Sequence, residues 1–285
     1  MRILINGWFS DQLAAGSGQY LAGLTEWLPR VGGGHEFVVV RPVGGGNLAK
    51  LWFEQIAFPL ACRRLRADVA FVPYWAAPLW SPCPVVVTVH DLIPLLLPLY
   101  RGGLLQRGYT ALVSLTARRA AAVLTDSEAS QRDIVQRLRI PPERVHAVPL
   151  AADPRYRPVT DPAEWAAVAA KYRLPEGPFL LYLGGFDARK NVGRMVEAFA
   201  QIAHRTSHIA LVVVGKLPER DTAFAPDPRP LARQLGIEER VHFTGWVDEA
   251  DKPTLYSLAL GVLFASEYEG FGLPLLEAMA CAPAP

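Results

Sequence analysis

"FLLYLGGFDARKNVGRMVEAFAQIAHRTSHIALVVVG", residues 179–215, decides the fold. Its two ends, "FLLYLGG" at 179–185 and "IALVVVG" at 209–215, are continuously apolar and lack the alternation of a strand with one wet face. Runs of that kind are strands buried on both faces, as in a parallel sheet. Between them "NVGRMVEAFAQIAHR" at 191–205 has the length and apolar spacing of a helix. Strand, helix and strand in this order are the unit of a doubly wound α/β sheet.

The pattern continues downstream with a strand "RVHFTGW" at 240–246, a helix around "KPTLYSLA" and a strand "GVLFAS" at 261–266. Upstream lie six more apolar runs: "RILIN" at 2–6, "EFVVV" at 36–40, "VAFVP" at 69–73, "VVVTVHD" at 85–91, "AVLTDS" at 122–127 and "VHAVPL" at 145–150. "GQYLAGLTEWL" and "GYTALVSLTARRAAA" among them have helical spacing. A polar, proline-rich piece, "AADPRYRPVTDP" at 151–162, has no sustained apolar period and separates the two series. The expected organisation is a Rossmann-like domain over 1–155, a linker over 156–176 and a second Rossmann-like domain over 177–285, the two facing each other across a cleft. With about four strands where such sheets commonly have five or six, the second domain is expected to be incomplete.

Composition narrows the function classes. A formal net charge of +2, with 20% charged and 51% hydrophobic residues, is globular and far from the basic balance of a nucleic-acid binder. Cys62, Cys83 and Cys281 are widely spaced, which suggests neither a disulfide framework nor a zinc site. The start, "MRILINGWF", turns polar too soon for a signal-peptide core, and no run approaches ~18 apolar residues. A soluble cytoplasmic protein is expected, with peripheral contact at the inner face of a membrane left open.

The chemistry concentrates in "EGFGLPLLEAMA", residues 269–280. A strand ends at Ser266, a glycine-containing loop follows, and Pro274 stands where the first helical position is expected. Free N–H groups at a helix start beyond a strand's carboxyl end attract phosphate, and Gly270 and Gly272 let the backbone approach closely. Glu269 and Glu277 would repel that phosphate unless they face hydroxyl-rich parts of the same ligand, since carboxylates accept and hydroxyls donate. A nucleotide-sugar has this layout. The plainer reading is a turn with Glu277 complementing the helix dipole. "GGFDARKN" at 184–191 places Arg189 and Lys190 at another strand-to-helix junction of the same domain, a source of positive charge for a diphosphate. His90 ends a buried-looking strand next to Asp91, a position open to a structural or a functional histidine.

"RKN", "FTGWVDEADKPTLYSLA" and "SEYEGFGLPLLEAMAC" together resemble glycosyltransferase family 4, retaining transferases of the two-domain GT-B fold, and Glu269 and Glu277 match that family's paired glutamates. "AGSGQY", "VVVTVHDLIPLLLP", "TDSEASQRDIV" and "VPLAADPRYRP" are similar to its branch of bacterial polysaccharide mannosyltransferases. The resemblance implies that Arg189 and Lys190 hold the donor diphosphate, Glu269 the sugar and Glu277 the ribose. Backbone N–H groups of Gly270, Phe271, Gly272 and Leu273 would face sugar and phosphate. Gly16 and Gly18 would let the first domain approach the donor, and His90 would contact the transferring sugar or the acceptor. Some relatives have an arginine where this chain has Gly185, which leaves more of the diphosphate charge to Arg189 and Lys190.

The expected reaction is metal-independent transfer of a hexose, of mannose type, from a nucleotide diphosphate sugar to a glycan or lipid-linked hydroxyl, with retention. No cofactor is expected, the nucleotide-sugar being a co-substrate, and no Asp-x-Asp cluster is placed to hold a divalent ion. Family members continue beyond the point where "CAPAP" stands, so the chain reads as a C-terminally truncated piece whose own activity is in doubt. The alternatives are a non-catalytic nucleotide-sugar-binding protein or inactive fragment, and a Rossmann oxidoreductase, for whose Gly-x-Gly-x-x-Gly signature Gly23 in "GSGQYLAG" comes late.

Overall fold

The structure is a computed structural model describing residues 1–12, 15–203, 205 and 208–282. The chain divides into two units, Met1–Pro149 and Leu150–Pro285.

The first unit is built on strands β1 (Arg2–Asn6), β2 (Glu36–Val40), β3 (Val69–Val72), β4 (Val85–Thr88), β5 (Ala122–Thr125) and β6 (Val145–Ala147). They form one sheet in the order β2-β1-β3-β4-β5-β6, with every neighbouring pair parallel. Helix α1 (Gly16–Val31) joins β1 to β2. Helix α2 (Asn47–Trp52), a π-helical turn at Phe53–Ala57 and α3 (Phe58–Arg64) run end to end between β2 and β3. A short α4 (Ile93–Leu96) and α5 (Leu104–Ala117) lead into β5, and α6 (Glu128–Leu138) leads into β6. Leu4 and Ile5, adjacent on β1, are both fully buried yet join different apolar clusters, Leu4 that of Val72, Val87 and Val123, Ile5 that of Leu21 and Phe71. Successive strand side chains point to opposite faces. Both faces of the sheet are therefore covered, which is why its strands show no polar alternation.

The second unit opens with α7 (Pro162–Tyr172) and holds β7 (Phe179–Leu183), α8 (Val192–Ala203), β8 (Ala210–Val214), α9 (Pro228–Gln234), β9 (Val241–Gly245), α10 (Lys252–Leu258), β10 (Gly261–Val262) and α11 (Leu273–Cys281). Its parallel sheet has the order β10-β7-β8-β9. Leu181 and Val212 pack on one face, Tyr182, Leu211 and Val213 on the other.

Two stretches differ from the sequence expectation. The run at 261–266 pairs with β7 only through Gly261 and Val262, with Leu263 N–H adding one bond to Leu181 C=O at 2.8 Å. Within 156–176, read as linker, α7 forms and belongs to the second unit: Thr254 donates to Glu164 at 2.6 Å, Tyr172 donates to Asp251 at 2.6 Å, and Lys171 pairs with Asp248 and Asp251. Asp161 caps the helix by accepting from Ala163 N–H at 2.9 Å, and Pro162 stands in its first turn. That start signal was present in "TDP". It was overshadowed because Val168 is the helix's one buried residue, too little to give an apolar period. Among the described residues no helix is long and apolar enough to cross a membrane.

Candidate functional site

Strands β7 and β10 are parallel neighbours, Leu180 opposite Gly261 and Leu181 opposite Val262. Their carboxyl ends therefore release two loops side by side, residues 184–191 and 263–272. Tyr182, at the end of β7, donates to Gly185 C=O at 2.5 Å and holds the first loop's turn. Farther along, Glu267 N–H bonds Arg189 C=O at 2.8 Å, and Arg189 Nη1 donates to Tyr268 C=O at 3.1 Å. Two sequence segments nearly eighty residues apart are thus joined by a main-chain bond and a side-chain bond to main chain.

Charge meets charge at this junction. Glu269 Oε2 lies 2.6 Å from Arg189 Nη1, Glu269 Oε1 lies 2.5 Å from Lys190 Nζ, and Arg189 Nε lies 3.1 Å from Asp187 Oδ1. The side chains of Glu269, Arg189 and Lys190 are 15–18% exposed, so these pairs are poorly screened. Burial pushes the Glu269 carboxyl up, but the bond and charge of Lys190, with the charge of Arg189, outweigh it and hold the group below the ordinary carboxylate range. The two cations expected to hold a diphosphate and the carboxylate expected to hold a sugar neutralise one another in this structure. Composition and spacing cannot report such a pairing.

Helix α11 begins at the end of the same loop. Gly272 precedes it with φ +106°, a left-handed conformation that a side chain would strain, and gives the helix no side-chain cap. Pro274 occupies the second helical position rather than the first, and Leu275 N–H turns back to Gly272 C=O at 3.0 Å. A helix start with a glycine before it is a favourable place for an anion. Gly270, Phe271 and Leu273 lie half-buried around it.

Glu277, one turn farther on, is 7% exposed and belongs to a different cluster. Its Oε2 accepts from Tyr256 of α10 at 2.9 Å, and Tyr156 packs 6.1 Å from the Tyr256 ring. Burial dominates and raises the Glu277 carboxyl, against the lowering effect of the Tyr256 bond and of Lys252. The two glutamates therefore respond to pH in opposite directions. Glu269, held low, contributes stability that is present above its ordinary value and is lost as acid protonates it. Glu277, held high, keeps its proton in the folded state after the unfolded chain has lost it, so its contribution declines as pH rises above about 4.5. Glu277→Gln keeps an acceptor for Tyr256 and removes that cost. The variant is expected to unfold at a temperature equal to or above the parent's at neutral pH, with the gap closing toward pH 4; thermal scans across pH check this.

The remaining predicted residues belong to the first unit, at the carboxyl edge of its sheet. His90 follows β4; its Nδ1 lies 2.7 Å from Asp126 Oδ2, its Nε2 lies 3.3 Å from Pro73 C=O, and the Tyr20 ring stands edge-on at 4.8 Å. Asp126 follows β5, the strand beside β4, and is buried. A histidine anchored to a buried carboxylate has a fixed ring orientation. Gly18 is required sterically, since a Cβ there would stand 2.1 Å from Gln12 C=O, whereas a Cβ at Gly16 meets nothing within 4 Å. Asp126, Tyr20, Tyr156 and Tyr256 were not singled out from sequence. Asp126 alone carried a signal, as the charged residue ending an apolar run in "AVLTDS".

With this geometry in place, comparison with known proteins assigns the class. The chain superposes on Anabaena Alr3699/HepE in complex with UDP-glucose with a TM-score of 0.68 at 18% identity, covering 99% of this chain and 78% of that one. Two Rossmann-like parallel sheets of this kind define the GT-B glycosyltransferase fold. The chain belongs to glycosyltransferase family 4: the family model "Glycosyltransferase Family 4" matches residues 15–156 and "Glycosyl transferases group 1" matches residues 167–284. O-antigen chain mannosyltransferase B of Escherichia coli is 30% identical over 197 residues, 69% of this chain and 50% of that protein. Alpha-D-kanosaminyltransferase of Streptomyces kanamyceticus is 31% identical over 162 residues, 57% of this chain and 41% of that protein. The chain thus spans half or less of the length of these curated relatives.

Proposed function

We propose that the protein transfers a hexose, of mannose type, from a nucleotide diphosphate sugar to a hydroxyl of a glycan or lipid-linked acceptor in cell-surface polysaccharide synthesis, with retention at the anomeric carbon. The observation that carries this reading is the cluster of Glu269, Arg189 and Lys190 beside the α11 N-terminus. Departure of a nucleoside diphosphate builds negative charge on the leaving oxygens. Arg189, Lys190 and the helix start are placed to balance that charge, so the chemistry asks for no metal or cofactor. Glu269, released from the two cations as they turn to the diphosphate, accepts hydrogen bonds from the sugar hydroxyls, and Glu277 accepts from the ribose. Backbone N–H groups across Gly270 to Leu273 face sugar and phosphate. In the first unit, Gly16 and Gly18 admit the donor, and His90 serves the transferring sugar or the acceptor, oriented by Asp126.

Retention without an enzyme nucleophile implies departure and attack on one face through an oxocarbenium-like state. The E. coli relative's name supports the mannose assignment, and the Anabaena complex supports a nucleotide-sugar donor. The test is a transfer and hydrolysis screen of the protein with GDP-, UDP- and ADP-sugars. One donor is expected to release its nucleoside diphosphate in step with acceptor glycosylation. Saturable donor binding without turnover of any donor would instead favour a non-catalytic nucleotide-sugar-binding protein.

A further inference from the structure

The stretch 150–161, with which the second unit begins, is fastened to two helices of that unit. Val159 N–H donates to Ser257 Oγ of α10 at 3.0 Å, and the same Ser257 Oγ lies 3.2 Å from Cys281 C=O at the end of α11. Arg157 N–H reaches the Cys281 thiol. Midway along the stretch Tyr156 is buried, its ring tilted against that of Tyr256.

Both tyrosines converge on Glu277. Tyr256 donates to its Oε2 at 2.9 Å, and the Tyr156 hydroxyl bonds the same carboxylate. Burial raises both phenols and the charge of Glu277 raises them further, so each keeps the proton it donates. The other ionisable groups facing Glu277 are Lys252 on α10, which is paired with Glu249, Glu249 itself, whose charge repels it, and Cys281 on α11.

The two glutamates of the site are thus held in different ways. Glu269 is neutralised by Arg189 and Lys190, whereas Glu277 takes hydrogen bonds from uncharged hydroxyls and is not neutralised by them. Two such donors use at most half of the roughly four acceptor positions of a carboxylate. A vicinal diol supplies two donors for the rest.

We propose that Tyr156 and Tyr256 are positioning residues for nucleotide recognition: bonded to Glu277 from the protein side, they aim its remaining lone pairs at the vicinal hydroxyls of a ribose and so set a preference for nucleotides that carry the diol. The inference rests on the proposed function, in which Glu277 meets the ribose, and adds two residues that act through Glu277 alone. It also fixes how the preference responds to pH. An ionised carboxylate is the stronger acceptor, and hydroxyls that donate to it favour the ionised form. Removing one raises the carboxyl beyond what burial already does, so acid abolishes the preference at a higher pH in the variant than in the parent.

The test is calorimetric titration of the protein with GDP, UDP and ADP, each beside its 2′,3′-dideoxy counterpart, from about pH 5 to about pH 8. The parent is expected to bind one ribose nucleotide at least ~10-fold more tightly than its dideoxy form at neutral pH. Tyr256→Phe keeps the ring and removes the hydroxyl. It is expected to cut that ratio to about 3-fold, to leave the dideoxy affinity at the parent's value, and to move the acid loss of the preference to higher pH. Tyr156→Phe is expected to act in the same direction, and it carries the test where Tyr256→Phe does not fold. In a Glu277→Gln background neither tyrosine replacement should change the ratio further, since the carboxylate they orient is gone. The inference is overturned if the parent binds ribose and dideoxy forms alike, or if the folded variants keep the parental ratio and pH profile. It is equally overturned if they lose dideoxy affinity in the same measure, which would make the tyrosines supports of the helix pair only. Failure of GDP, UDP and ADP alike to bind would overturn the nucleotide-sugar reading itself, and the inference with it.

Discussion

Replacing Glu269 with alanine is expected to abolish hexose transfer while leaving affinity for a free nucleoside diphosphate unchanged or higher. The two halves of this result have different causes. Charged hydrogen bonds contribute about 1.5–3 kcal/mol each, so a carboxylate that loses two bonds to sugar hydroxyls in the transition state costs roughly 10²- to 10⁴-fold in turnover. In the unliganded protein, however, Glu269 also occupies Arg189 and Lys190 at 2.6 and 2.5 Å. A diphosphate must displace it from both, and alanine removes that competitor. Calorimetric titration of nucleoside diphosphate beside a transfer assay separates the effects. Parental turnover in the alanine variant would remove Glu269 from the site; weaker diphosphate binding would show that it supports the anion rather than competing with it.

The second large effect is expected at the cations. Lys190→Ala should lower turnover by roughly 10²- to 10³-fold, the usual cost of one preorganised group facing charge that grows in a transition state. Donor affinity should change far less, because binding loses a phosphate contact and at the same time frees Glu269 from one of its partners. Arg189→Ala should do more. Its guanidinium reaches Asp187, Glu269 and the Tyr268 carbonyl, so its loss also loosens the junction between the two loops. Single-turnover and steady-state kinetics of both variants check the ordering. A rise in KM at constant kcat would instead assign these residues to binding that is equal in ground and transition states.

The sequence announced strands better than contacts. "RILIN" and "EFVVV" coincide with β1 and β2 residue for residue, because strands covered on both faces leave an unbroken apolar record. α7 left a weak record because it buries one valine and docks through polar bonds of Glu164, Lys171 and Tyr172, whose partners stand some eighty to ninety residues away. The same distinction runs through the candidate site. The residue types in "RKN" and "EGFGLPLLE" pointed to a phosphate and a polyol. Yet the mutual neutralisation of Arg189, Lys190 and Glu269 depends on β7 and β10 being neighbours, a fact of topology that no local window contains. Glu277 was read as facing a ligand; that its carboxylate is held from behind by Tyr256 required knowing that α10 and α11 pack together.

The main-chain bond from Glu267 to Arg189 bears on how such a protein can be re-engineered. It makes residues 184–191 and 263–272 a single inheritable cassette. A chimaera that imports one loop from a relative with another donor would receive half of a clasp whose other half was shaped for a different backbone path. Transplants that move both loops with β7 and β10, keeping the Leu180–Gly261 register, respect the unit that the fold itself defines.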